Sequence, residues 1–141
     1  MKMIQKIIIC TLLITTSYAD FNGRWSGEGV AKTASASSPC EKVYFRLSLS
    51  QEKFKIQDGG YNCSGLSAEY PYSVFTIQGN DLIYKGEISG RISDNEIEIF
   101  SIEDGFQLLF TKIDNQTIKV EERWQDGDDF LVINSSLELI K

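Results

Sequence analysis

Glu122 is the residue whose type and position most invite chemistry. In the run Ile118-Lys119-Val120-Glu121-Glu122-Arg123-Trp124, positions 118, 120 and 124 are apolar. In a strand, alternate residues share a face, so Glu122 turns the same way as that apolar set. A carboxylate on an inward face is costly unless it is paired or hydrogen-bonded. The functional reading is a polar anchor inside a lumen. The structural reading is an ion pair with Arg24, Arg91 or Arg123, or a strand end where the lumen opens to water.

Other groups exclude more than they offer. The chain has no His, which removes Ser-His-Asp and Cys-His machinery, His-ligated haem and His-containing zinc sites. No two carboxylates stand in a context that marks an acid and base couple, so catalysis is not expected. Asp126-Gly127-Asp128-Asp129 has the acidity of a calcium loop but neither its alternating spacing nor its later bidentate Glu. It reads as a hairpin turn, and no metal or cofactor is expected. Trp25, Gly27 and Gly29 share one face, where the glycines either leave room for a ligand or let backbones pack closely. Tyr61, Tyr70 and Tyr72 cluster near Cys63 and Pro71, either as a recognition rim or as a local core under a loop.

Positioning such groups requires a folded domain, and the composition supplies one. The 141 residues fit a single domain. With 42% hydrophobic and 24% charged residues, the chain is globular rather than disordered. The net charge of −6 and the lack of any basic run argue against nucleic-acid binding, which depends on phosphate neutralisation. Residues 1–19 read as a signal peptide. Lys2 and Lys6 precede the apolar stretch Ile7–Ile14, and Ser17 and Ala19 supply small residues before Asp20. The apolar stretch is about half the roughly 20 residues that span a bilayer, so no membrane anchor is expected after cleavage. The mature domain is then 20–141, with 12 basic and 20 acidic residues and a net charge of −8, in a secreted or periplasmic location. Cys10 leaves with the leader, and Cys40 and Cys63 remain as an even pair expected to form a disulfide.

Period-2 alternation dominates the mature chain. Val43, Phe45, Leu47 and Leu49 alternate with Tyr44, Arg46 and Ser48, and Phe106, Leu108 and Phe110 repeat the pattern. Turn residues such as Asp58-Gly59-Gly60, Gly79-Asn80-Asp81 and Glu103-Asp104-Gly105 cut the runs. The strands expected are 22–31, 42–50, 53–58, 72–78, 82–92, 96–102, 106–113, 117–124 and 130–139, with 32–39 as a long loop. The fold class is all-β: an antiparallel up-and-down meander closing into a barrel of eight to ten strands, since closure removes aggregation-prone edges. A hairpin centred on Gln51-Glu52 pairs residues whose numbers sum to 103, and Cys40 with Cys63 satisfies that sum.

The segment Gly23-Arg24-Trp25-Ser26-Gly27-Glu28-Gly29 resembles the opening strand of the lipocalins and their calycin relatives. The longer Gly-x-Trp-x-Gly-x-Gly pattern is also similar to nitrobindin-type barrels, whose haem ligation needs a His that this chain lacks. The resemblance implies that Trp25 plugs one barrel end with a late-strand Arg over it, for which Arg123 is the candidate. Small periplasmic inhibitors of proteases or lysozyme share the same general shape.

The expectation is a non-catalytic protein that holds a small, largely apolar molecule, with Trp25, Tyr84, Glu122 and Trp124 as lining or plug and the 32–39 loop near one rim. An interior filled by Phe45, Leu47, Phe54, Ile88, Leu108 and Phe110 would leave no room for it. The alternative is a hydrolase inhibitor whose acidity steers it to a basic secreted enzyme. Exported protein is expected to begin at Asp20 and to weigh two protons less than its reduced form. Intact mass spectrometry before and after reduction checks both.

Overall fold

The computed structural model describes residues 20–141; the expected signal peptide lies outside the described residues. The chain runs through β1 (Gly23–Thr33), β2 (Ser37–Leu49), β3 (Lys53–Cys63), β4 (Leu66–Glu69), β5 (Ser73–Gln78) and β6 (Asp81–Tyr84). It continues through β7 (Glu87–Ile92), β8 (Glu96–Ser101), β9 (Phe106–Lys112), β10 (Thr117–Asp126) and β11 (Asp129–Ile140). All pairings are antiparallel, and each of β5 to β10 pairs with the next in sequence. β1 pairs with both β2 and β11, and β2 pairs with β3, so the eleven-stranded sheet closes on itself. β4 and β5 share one place in the ring. Their partners on β3, Gly60↔Glu69 and Phe54↔Phe75, both sum to 129, so they form one strand interrupted at Tyr70–Tyr72. The result is the expected all-β antiparallel meander closed into a barrel, with ten positions around it.

The expected pairing of Cys40 with Cys63 is present as a disulfide, although the register between β2 and β3 is not uniform. Partners sum to 103 near the turn (Leu47↔Ile56), to 104 along the middle (Phe45↔Gly59), and to 103 again at the cysteines. An extra residue on β3, Gln57, is cancelled by an extra residue on β2, Glu41. Each bulge reverses which side chains face inward beyond it. On β3 the buried set therefore passes from Phe54 and Ile56 to Gly59, Tyr61 and Cys63.

Three sequence expectations need correction. Gly59-Gly60 is not a turn but the interior of β3. A Cβ on Gly59 would lie 2.6 Å from the Phe45 ring, and one on Gly60 2.5 Å from the Ala68 carbonyl, so these glycines admit close neighbours. The span 82–92 is two strands, because Lys85 and Gly86 both take positive φ (51° and 80°) and form a tight hairpin. The 32–39 segment is mostly strand, with only residues 34–36 turning between β1 and β2. Ile88, one of the residues that could have filled the interior, is 55% exposed and does not.

One end of the barrel is packed solid. Phe21, Trp25, Leu47, Phe54 and Phe110 are all at most 2% exposed. Phe110 meets Phe45 edge-on at 5.0 Å and Phe54 at 6.2 Å, arrangements that add to the energy of burial. The Trp25 indole donates to the Phe21 carbonyl at 2.9 Å, and the Asn22 side-chain carbonyl accepts from the Leu49 amide at 2.7 Å. The cation over the Trp25 ring is Lys112, with Nζ at 5.0 Å and its ammonium donating to the Asp20 carbonyl. It is not Arg123, which faces outward and pairs with Glu121 at 3.1 Å. A lysine on β9 reaches this end because β9 finishes there, whereas Arg123 lies toward the opposite end of β10.

Replacing both cysteines by Ala is expected to lower unfolding free energy by about 3 kcal/mol, the loop-closure effect of a bridge of this span. Urea unfolding of the oxidised wild type against the double variant measures it.

Candidate functional site

The opposite end of the ring is open. A cleft of about 1030 Å³ enters the barrel there. Its walls come from the last residues of β3, β6 and β10, the first residues of β7 and β9, and the interruption between β4 and β5. Aromatic pairs build those walls. Phe106 and Trp124 have ring centroids 4.4 Å apart, and Phe75 and Tyr84 are at 5.4 Å. Tyr70 lies 5.2 Å from Phe45, the ring on which the packed end begins. The Tyr70 hydroxyl is buried without a hydrogen-bond partner among the described residues, an uncommon condition for a buried polar group.

Glu122 lines this cleft and is 4% exposed. The alternation of β10 places it inward beside Val120, both buried, while Lys119 and Arg123 face solvent. Its cross-strand neighbours are Leu108 on β9 and Ile133 on β11, both apolar and buried. The expected ion pair with Arg24, Arg91 or Arg123 does not form. Among the described residues, the ion pair present is Arg123 with Glu121 on the outer face. Burial in these surroundings pushes the Glu122 carboxyl up to about 7, against a smaller lowering by a hydrogen bond with the Trp124 side chain. Burial and the nearby Glu122 charge push the Tyr61 phenol up to about 12, so Tyr61 remains a neutral hydroxyl across the physiological range.

Of the four residues expected to line or plug a lumen, three meet at the cleft. Tyr84 stands at the mouth, Trp124 on the wall and Glu122 within. Trp25 does not line it; 1% exposed, it closes the far end. The space beside Gly27 and Gly29 is occupied by β11, because a Cβ on either would fall 2.2 Å from the Ser136 carbonyl or 2.5 Å from that of Asn134. The core residues Phe45, Leu47, Phe54 and Phe110 do fill the interior, but only toward the packed end, whereas Leu108 lines the cleft. Tyr61 and Tyr70 both line the cleft, while Tyr72 is 61% exposed. Phe75 was not singled out in the sequence. The sole signal for it was its alternation with Thr76 in Ser73-Val74-Phe75-Thr76-Ile77.

A smaller hollow of about 340 Å³ lies largely over the outer faces of β9, β10 and β11. Its charged residues, Glu28, Lys119 and Glu121, are not buried. Among the described residues, no group of three or more His, Cys, Asp or Glu is placed to hold a metal.

No family model matches the chain, and no curated protein matches it in sequence. Among solved structures it is similar to an S-type phycobiliprotein lyase from Guillardia theta, at 11% identity and a TM-score of 0.41. That alignment covers 86% of this chain and 88% of the lyase chain.

Glu122 binds its proton more tightly in the folded protein than in the unfolded chain, where its value is 4.5. Stability is therefore full below about 4.5, falls as pH rises, and carries the whole penalty above about 7. That penalty is about 3 kcal/mol. Glu122→Gln is expected to raise stability at pH 8 by up to this amount and to change it little at pH 4.5. Urea midpoints across pH 4–8 check both limits.

Proposed function

We propose that the protein is an exported, non-catalytic carrier or receptor of a small, largely apolar molecule, bound in the open end of the barrel. The observation that carries this reading is the aromatic-walled cleft of about 1030 Å³, with a buried carboxylate inside it that has no basic partner among the described residues. Small-molecule sites combine mostly apolar walls with a few polar groups that fix orientation. Here Phe75, Phe106 and Leu108 supply apolar wall, and Glu122 and the hydroxyls of Tyr61 and Tyr70 supply the polar groups. Export is supported by the leader-like residues 1–19 and the disulfide. The non-catalytic assignment rests on the absence of His and of any paired acid and base in the cleft.

The two tryptophans give a direct test, because Trp124 lines the cleft and Trp25 is sealed at the other end. A neutral apolar probe such as N-phenyl-1-naphthylamine is expected to bind with micromolar affinity and to quench tryptophan emission in the Trp25→Phe variant. In Trp124→Phe the probe is expected to bind with little quenching. Failure to bind, or quenching that follows Trp25, overturns the reading in favour of rim-mediated binding of a basic enzyme.

A further inference from the structure

Among the described residues, five carboxylates reach the cleft, Glu69, Glu87, Glu103, Asp104 and Glu122, against one lysine, Lys85. Four of the five stand exposed around the mouth, and Glu122 lies within. This pattern is hostile to an anionic ligand: a fatty acid or an organic phosphate would meet like charge at the mouth and a carboxylate inside. It is not neutral toward a cation. A positive charge is drawn toward an acidic, low-dielectric cleft, and aromatic faces attract ammonium groups further. The mouth already shows such a contact within the chain, with the Lys85 ammonium 5.3 Å over the Tyr84 ring.

Resting on the cleft reading above, we infer that the ligand is a hydrophobic amine or quaternary ammonium compound, its cationic nitrogen against Glu122 and its apolar body along the Phe106, Trp124 and Phe75 walls. Among the described residues, the charged state of Glu122 has no basic partner. Its cross-strand neighbours are Leu108 and Ile133, and its own strand offers Val120 and Trp124. From β3 it faces Tyr61, which carries no charge at physiological pH. The remaining charged groups of the cleft are the four acids and Lys85 already named. A ligand cation would supply the missing counter-charge, and the unpartnered Tyr70 hydroxyl could accept an N–H or donate to a ligand oxygen. A neutral ligand would leave an ionised Glu122 buried and uncompensated.

Three ligands of one shape separate these possibilities: 2-(1-naphthyl)ethylamine as the cation, 2-(1-naphthyl)ethanol as the neutral form and 1-naphthylacetate as the anion. Calorimetric titration of the wild-type protein at pH 8 is expected to rank them in that order, with the amine about tenfold or more tighter than the alcohol. Below about 7, where Glu122 is protonated, amine affinity is expected to fall about tenfold per pH unit while alcohol affinity holds, since the cation then competes with a proton. In Glu122→Gln the amine is expected to lose its advantage and its pH dependence, and the alcohol to bind as well or better. If the alcohol or acetate binds as tightly as the amine, the inference is wrong while the carrier reading stands. If none binds, the carrier reading fails and the inference fails with it.

Discussion

Closure of the sheet is the constraint from which the other features follow. A meander of this many strands would expose two long edges if it stayed open, and edges recruit other chains. β1 prevents this by pairing along both sides, with β2 and with β11. Closure also fixes the width. About eight strands give an interior that side chains just fill, and the diameter grows with strand number. With ten positions, this ring is wider than its side chains can close along its whole length. The sequence concentrates its large fully buried aromatics, Trp25, Phe21, Phe54 and Phe110, at one end. The other end stays open by geometry.

What occupies the open end is a matter of electrostatics. A wide barrel could have been lined by apolar and hydroxyl groups alone. Here Glu122 is turned inward by strand alternation and surrounded by apolar neighbours, and neither Lys nor Arg pairs with it among the described residues. Such a group destabilises the ionised protein, and this is tolerable when a ligand supplies the counter-charge. The disulfide belongs to the same end. It holds the last residue of β3 to β2, two positions from Tyr61, and so fixes the wall that faces Glu122.

The fold was legible because alternation is a strong signal and closure follows from strand number. The Cys40–Cys63 register was legible for a subtler reason: the Gln57 and Glu41 bulges cancel, so a count from the turn still arrives at the right pair. Neither bulge could be read from the sequence, since no residue type requires one. Gly59-Gly60 looked like a turn because glycine serves both turns and close approaches, and only the Phe45 and Tyr44 rings show which applies. The hairpin at Lys85-Gly86 was hidden because lysine seldom takes a left-handed conformation. Within the site, Glu122 stood out as a charge among inward apolar residues. Tyr70 was marked only as part of a tyrosine cluster, either rim or local core, because its place depends on β4 and β5 being one interrupted strand, and Leu66-Ser67-Ala68-Glu69 is exposed throughout and carries no burial pattern.

The central claim is that Glu122 is a buried carboxylate held without a cationic partner until a ligand supplies one. Carbon-13 NMR titration of the Glu122 side-chain carboxyl in the ligand-free protein tests it most directly, with Glu122→Gln assigning the signal. The account predicts a midpoint near 7, well above the 4.5 of an unperturbed glutamate. A midpoint at or below 4.5 would show that Glu122 is solvated or already paired, and would contradict the account.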